Sequence, residues 1–189
     1  MAEREVDAEA SLEDLDGGVK KYSFHNAVLI HANVKQTHEV LTDYRVYAKI
    51  IPYIDEADFS PQTHVLSLRG GIWNFRLSSK IRFDDKSDRW VHFEFVGGHF
   101  YGMQGDIFFE DEGEKGTLVF MQGVKISGLP WPPKFVIERG AEIVFGFAAK
   151  RMRSYVENLK VDQKVESPIH EHDSNSPQVP ELPRPRSHL

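Results

Sequence analysis

The sequence predicts an α+β fold in which a curved antiparallel sheet of six to seven strands wraps around one long C-terminal helix. Apolar and polar residues alternate with period two in most segments between residues 19 and 126, as in strands with one buried face. One long helical pattern follows at residues 132–160. Between the first strand and the second lies a helical bend, where two short helices are expected.

The first strand is predicted at Tyr22–Ala32, where apolar residues recur at alternate positions. Asn33 follows it and is a favoured residue type for a helix N-cap, so the segment NVKQTHEVLTD is expected to form a short helix. The bend itself is LTDYRVYAKIIPYI, residues 41–54. Its two central tyrosines and Ile51 fall at helical spacing and share one face, and Pro52 ends the helix.

Five further strands are predicted from the same alternation. The clearest is GIWNFRLSSKIRFDD, in which large apolar residues occupy one face and polar residues the other. Its inward residues are Trp73, Phe75, Leu77, Ile81 and Phe83. The other strands are His64–Arg69, Arg89–Val96 (inward Val91, Phe93 and Phe95), Gly105–Glu110 (inward Ile107 and Phe109) and Gly116–Ile126 (inward Leu118, Phe120, Val124 and Ile126).

The long helix follows Pro132 and Pro133, which suit a first helical turn. Apolar residues at spacings of three and four form one stripe along it, and this stripe is expected to face the sheet. The stripe consists of Ile137, Ala141, Val144, Ala148, Met152 and Tyr155.

Composition divides the 189 residues into three parts. Residues 1–18 are predicted to be a flexible acidic leader, because residues 1–17 hold seven acids, one base and no apolar signal-peptide core. Residues 19–160 form the predicted folded domain, which is close to neutral. Residues 161–189 contain five prolines and few large apolar residues, so a disordered Pro-rich tail is expected.

Residue content also argues against several functional classes. The chain has no cysteine, which excludes disulfides, thiolate catalysis and Cys-ligated zinc. Residues 170–173, His-Glu-His-Asp, have metal-ligand chemistry but lie in the tail without neighbours to orient them, so no metal and no cofactor are expected. A near-neutral domain argues against a nucleic-acid partner. Because no apolar run of about 18 residues occurs, a cytoplasmic location is expected.

The bend carries a resemblance to a known superfamily. Asp43 is followed by Tyr44 and Tyr47, an apolar stretch and Pro52 before the next strand. Together with the strand order and the final helix, this resembles the START-related helix-grip proteins, also called the SRPBCC or Bet v 1-like group. The likeness is strongest to their polyketide cyclase/dehydrase and coenzyme-Q-binding START branch, and it covers about residues 20–158. It implies the helix-grip fold, in which this bend supports the long helix.

A sheet of this kind does not close tightly on one helix, so an apolar cavity between them is the expected binding site. Its expected wall comprises Tyr44, Tyr47, Ile51, Trp73, Phe75, Leu77, Phe93, Phe95, Ile107, Phe109, Phe120, Ile137, Ala141, Val144 and Ala148. The two tyrosines either serve as scaffold or lend a hydroxyl to the cavity. Trp131, between prolines in ISGLPWPPKF, either packs as a lid or acts as a gate with transient membrane contact.

Three functions are compatible with this scaffold, which hosts carriers, cyclases and regulators. We favour a non-catalytic binder or carrier of a hydrophobic small molecule such as a lipid, a quinone or a polyketide-like compound. The alternative is a polyketide cyclase or aromatase, for which Tyr44, Tyr47, Tyr101 and Gln122 are the available polar groups. A second alternative is a protein-interaction module like the ribosome-associated, toxin-like branch. No catalytic residues and no oligomeric state are predicted.

Overall fold

The computed structural model describes residues 6–51, 53–72, 75–127 and 141–165. This part of the chain forms one eight-stranded antiparallel sheet with helices packed against one face. The strands are β1 (Val6–Asp14), β2 (Lys20–Ile30), β3 (Ile54–Ser60), β4 (Val65–Ile72), β5 (Phe75–Ser87), β6 (Trp90–Gly98), β7 (Gln104–Asp111) and β8 (Thr117–Ser127). The helices are α1 (Val34–Leu41), α2 (Tyr47–Ile50) and α3 (Ala141–Val165). Across the sheet the strand order is β1-β2-β8-β7-β6-β5-β4-β3.

One face of the sheet, here called the inner face, carries the hydrophobic core and the helices. On β2 the buried positions are Phe24, Asn26, Val28 and Ile30, and the positions between them are less buried. β2 pairs with β8 over its whole length without a register shift, so the alternation of one strand fixes that of the other. The predicted inward residues Val91, Phe93 and Phe109 are confirmed as buried, and Phe95 and Ile107 pack against the same core.

The bend between β2 and β3 forms as two short helices, as predicted. Asn33 caps α1, since its side chain accepts a hydrogen bond from the N–H of Gln36 at 2.8 Å. A 3₁₀ turn at Tyr44–Val46 leads into α2. Tyr44, Tyr47 and Ile50 are buried, so the inward face of the bend becomes part of the core.

The sheet has eight strands rather than the six to seven expected, and the two strands missed are its edges, β1 and β3. β1 lies within the segment expected to be a flexible leader. It pairs with β2 from Val6 opposite Val28 to Asp14 opposite Lys20, and Ala10 is buried. Edge strands of natural sheets often carry charges that deter pairing with other chains, and such charges remove the apolar signature of a strand.

The register of β8 also differs from the expectation. Val119 is buried and Met121 and Gly123 share its face, whereas Phe120 points to the outer face and Ile126 is 64% exposed. Apolar residues occupy both faces of β8 at Leu118–Met121, so alternation alone did not distinguish them. Pairing with β7, which sets Val119 opposite Phe109, decides the orientation.

Helix α3 packs against β1, β2 and the helices of the bend. Its buried side is formed by Ala149 and Val156 with Met152 between them, a stripe shifted by about one residue from the expected one. The helix continues to Val165, whereas the disordered tail was expected from residue 161. The rest of the tail, residues 166–189, and the expected start of the helix lie outside the described residues. No helix in the described part is long and apolar enough to cross a membrane.

A group of polar residues fastens α3 to the end of β2. Glu157 Oε1 accepts a hydrogen bond from the N–H of His31 at 2.9 Å and another from Arg153 Nε at 2.9 Å. The same carboxylate lies 3.0 Å from His31 Nδ1. Burial alone would raise the pKa of Glu157, but the His31 N–H and the Arg153 guanidinium outweigh it and hold the pKa below its usual 4.5.

Truncation should distinguish β1 from the tail. Deleting residues 1–15 removes the ladder on β2 and the burial of Ala10, and we expect the free energy of unfolding to fall by roughly 2 kcal/mol or more. Deleting residues 166–189 should leave it unchanged within about 0.5 kcal/mol, because that composition contributes little to a core. Urea unfolding of the two truncated proteins measures both values. An unchanged stability after loss of β1 contradicts its role in the sheet.

Glu157→Gln should lower stability in a pH-dependent way. A carboxyl group with a lowered folded pKa contributes stability above its unfolded pKa of about 4.5, and this contribution disappears as the pH falls through the folded value. We therefore expect a loss of about 1–2 kcal/mol at pH 7 that shrinks towards pH 3. Urea unfolding across this range is the measurement, and Glu39→Gln, whose exposed carboxylate lies 3.9 Å from Lys35, is the control. A loss independent of pH argues against the ionic role.

Candidate ligand-binding site

The inner face carries a row of residues that lie directly opposite one another on neighbouring strands, here called the central row. From β1 to β5 it runs through Ala10, Phe24, Gly123, Gly105, Phe93 and Phe83. Its two middle positions are glycines on adjacent strands. Since neighbouring strands are about 5 Å apart, the sheet lacks side chains over a gap two strands wide.

The rings of Phe24 and Phe93 lie over this glycine gap from its two sides. A Cβ atom on Gly123 would be 2.4 Å from Cε1 of Phe24, and one on Gly105 would be 2.0 Å from the carbonyl oxygen of Gln122 and 2.6 Å from Cζ of Phe93. The two ring centroids are 6.4 Å apart, with planes inclined by 27°. Glycine is therefore required at both positions for the rings to rest on the backbone, and the middle of the inner face is aromatic.

Tyr44 closes the end of the central row that lies towards β3. Its ring stacks on Phe83 with centroids 4.0 Å apart and planes inclined by 13°, and Phe59 lies 5.0 Å away. The hydroxyl donates to Asp85 Oδ1 at 3.2 Å. Burial, with contributions from Tyr47 and the Asp85 carboxylate, raises the pKa of Tyr44 far above its usual value, so this phenol remains protonated.

Tyr47 is tied down in the same region. Its hydroxyl donates to the carbonyl oxygen of Leu41 at 2.7 Å, which satisfies a carbonyl at the C-terminal end of α1. Burial, with a smaller effect of Asp85, raises the pKa of Tyr47 as well. Both hydroxyls are therefore engaged with the protein itself. This geometry favours the scaffold role among the two considered for these tyrosines.

At the other end of β2 the inner face carries two polar side chains. Tyr22 and Lys125 are direct partners across β2 and β8, both half-buried, and both follow the alternation that places Phe24 and Gly123 on the inner face. Burial raises the pKa of Tyr22 to about 12. The Tyr22 ring lies 6.2 Å from that of Phe24, so this pair borders the aromatic middle directly.

The structure brings together part of the expected cavity wall. Phe93, Phe95, Ile107 and Phe109 share the inner face, with Leu77 on the same face of β5. Tyr44, Tyr47 and Ile51 line one end of it, and Ala148 is half-buried on α3. Phe120 is on the outer face and does not belong to the set. Trp73, Trp131 and Ile137 lie outside the described residues, as do the side chains of Phe75, Ala141 and Val144.

Sequence reasoning missed Tyr22, Phe24, Gly105, Gly123 and Lys125 as site residues. The alternation of the first strand places Tyr22 and Phe24 on its inward face, so the sequence contains the signal for these two residues. The glycines and Lys125 depend on which strands pair and in which register, and a single sequence does not contain this information. A glycine inside a strand pattern, which indicates a close approach of another group, was the one usable signal.

A depression with a volume of about 760 Å³ lies mainly on the outer face, although Ala10, Phe24, Gly105 and Gly123 of the central row also border it. Polar side chains around Phe120 border it, and Glu9, His25, Gln122, Asp106 and His92 follow one another across five strands. Asp106 Oδ1 accepts from Trp90 Nε1 at 2.8 Å and lies 3.0 Å from His92 Nδ1. This surface is open and combines ionisable and amide side chains with apolar ones, which distinguishes it from the aromatic middle of the inner face.

Comparison with known proteins identifies the fold. No protein-family model matches the chain, and no curated protein matches its sequence. A START superfamily protein from Mycobacterium smegmatis superposes with a TM-score of 0.61 at 18% identity, covering 72% of this chain and 98% of that one. Ara h 8.0201 gives 0.57 at 10% identity, covering 73% and 99%. The di-domain aromatase/cyclase StfQ from the steffimycin biosynthetic pathway gives 0.58 at 9%, covering 75% and 52%.

These superpositions confirm the resemblance to the START-like, SRPBCC superfamily at the level of the fold. The large antiparallel sheet of eight strands with few helices fits the helix-grip architecture. At identities of 9–18% the likeness shows the fold alone.

Removing the two tyrosine hydroxyls should affect stability unequally. Tyr47→Phe leaves the Leu41 carbonyl without its donor in a buried place, and we expect a loss of about 1–3 kcal/mol. Tyr44→Phe removes a longer bond to an exposed carboxylate while the ring stacking on Phe83 remains, so about 0.5–1 kcal/mol is expected. Urea unfolding compares the variants with the parent protein. A larger loss for Tyr44→Phe would contradict this assignment.

Proposed function

We propose that this protein binds a hydrophobic small molecule, such as a lipid, a quinone or a polyketide-like compound, between the inner face of the sheet and α3. The observation that carries the proposal is the glycine gap of the central row, covered by Phe24 and Phe93. Two adjacent positions without side chains leave room above the sheet backbone, and the rings of Phe24 and Phe93 cover this room. Such a surface accepts a flat or extended apolar body by small movements of two rings.

A carrier fits the described side chains better than a cyclase does. Of the four polar groups considered for catalysis, Tyr44 and Tyr47 donate to Asp85 and Leu41. Tyr101 is 65% exposed, and Gln122 is exposed on the outer face. None of the four is therefore placed to stabilise charge that develops on a substrate over the central row. The StfQ likeness, which is one of fold, adds no residue to that alternative.

The expected affinity for an apolar molecule follows from the surface that it buries. A compound of two aromatic rings that loses roughly 300 Å² of apolar surface gains about 7.5 kcal/mol at 25 cal/mol per Å². This corresponds to a Kd of about 3 µM before ordering costs are counted. Trp131, which precedes α3 in the sequence and lies outside the described residues, remains our proposed gate for entry of the ligand.

The test is a fluorescence titration with N-phenyl-1-naphthylamine, a neutral apolar probe. Met121 and Phe120 are adjacent on β8 and point to opposite faces, so tryptophan at each position gives a matched pair. Met121→Trp should fill space on the inner face and raise the Kd of the probe at least tenfold. Phe120→Trp, on the outer face, should change this Kd less than twofold. Circular dichroism confirms that both variants fold.

Three results would overturn this proposal. The first is that the parent protein does not bind the probe at concentrations up to about 1 mM. The second is that the two tryptophan variants bind the probe equally. The third is that incubation with a linear poly-β-ketone thioester gives cyclised product faster than the protein-free control, which would show catalysis instead of carriage.

A further inference from the structure

Lys125 is a cation on the inner face of the sheet. β8 pairs with β2 without a register shift, so Lys125 follows Val119, Met121 and Gly123 on the inner face. It is half-buried, and Tyr22 is its direct cross-strand partner. Two residues along a strand span roughly 7 Å, so the Lys125 backbone is that far from the glycine gap.

No carboxylate in the described part of the chain lies within ion-pair distance of Lys125. Lys20 provides a contrast. It lies on the same face of the sheet, two residues before Tyr22 on β2, and it is paired with Asp14. A lysine beside an aromatic surface loses part of its hydration, and a negative partner compensates for that loss. The charge on Lys125 is therefore available to a bound molecule.

Tyr22 supplies a second donor at the same place. Its hydroxyl makes no hydrogen bond to any residue that the structure describes, and burial raises its pKa to about 12, so it carries its proton at neutral pH. Directly opposed residues on antiparallel strands have Cβ atoms about 5 Å apart. Two side chains that start this close together can bring the Lys125 ammonium group and the Tyr22 phenol to the two oxygens of one carboxylate, which only accepts hydrogen bonds when ionised.

We propose that the ligand is an amphiphilic carboxylic acid whose carboxylate is held by Lys125 Nζ and Tyr22 Oη. Its apolar body then lies over Phe24, the glycine gap and Phe93. This inference rests on the proposed function and adds to it the polarity of the ligand and its direction of binding. The head group lies at the Tyr22 end of β2, and the body points along the sheet towards the bend.

The experiment compares dodecanoate with dodecan-1-ol, which have the same chain length and differ in charge. Each displaces N-phenyl-1-naphthylamine from the parent protein at pH 7.5, below its critical micelle concentration or solubility limit. We expect dodecanoate to bind at least tenfold more tightly, as a charge-assisted hydrogen bond implies. Lys125→Met should abolish that preference, Tyr22→Phe should reduce it about threefold or more, and Lys125→Arg should retain most of it.

Lys20→Met is the matched control. It removes a lysine on the same face of the sheet, and this lysine is already paired with Asp14. It should leave the preference for dodecanoate unchanged within twofold. The affinity for the neutral naphthylamine should stay unchanged in Lys20→Met, and in each variant the preference is the ratio of the dodecan-1-ol Kd to the dodecanoate Kd. If Lys125→Met does not fold, Lys125→Gln, which keeps a polar side chain of similar reach, replaces it.

The outcomes separate this inference from the proposed function. Equal binding of acid and alcohol to a parent protein that binds the naphthylamine overturns the carboxylate anchor and leaves the hydrophobic site intact. A preference that survives Lys125→Met, or that Lys20→Met abolishes, places the anchor elsewhere and also overturns the inference. Failure of the parent protein to bind the naphthylamine overturns the proposed function, and the inference falls with it.

Discussion

The structure depends above all on the unbroken antiparallel pairing of β2 with β8. Eleven residue pairs, from Lys20 opposite Ser127 to Ile30 opposite Thr117, join the first part of the domain to the last strand before α3. This single register decides which side chains of both strands face the core, and through β7 it extends to β6. The glycine gap, the rings that cover it and the placement of Lys125 beside Tyr22 all follow from it. A shift by one residue would move every one of these groups to solvent.

Sequence patterns predicted the fold because most strands here have one wet face. β6, with Val91 and Phe93, and β7, with Phe109, alternate clearly, and the structure confirms their orientation. β8 has apolar residues on both faces, so its orientation required knowledge of the neighbouring strand. β1 and β3 were missed because sheet edges need no apolar repeat. The site was predicted less well than the fold, since it depends on residues that meet only through pairing between strands distant in sequence.

The two ends of the inner face differ in how their polar groups are satisfied. At the bend, the Tyr44 and Tyr47 hydroxyls both donate to groups of the protein itself. At the other end, Lys125 and the Tyr22 hydroxyl border the aromatic middle, and neither has a polar partner among the described residues. The proposed carboxylate anchor makes use of this difference. It would orient an elongated ligand along the sheet, whereas an apolar surface alone would only accept one.

The two edge strands carry most of their charge as carboxylates. β1 holds Asp7, Glu9, Glu13 and Asp14, and β3 holds Asp55, Glu56 and Asp58. An antiparallel pairing of either edge with the same edge of another copy would set like charges against one another at a few ångströms, in a ladder that otherwise has free N–H and C=O groups. The acidic start of the chain thus has a colloidal consequence. Like charges along both edges disfavour the edge-to-edge pairing by which an open sheet would add further copies, and protonation of these carboxylates in acid would weaken that repulsion.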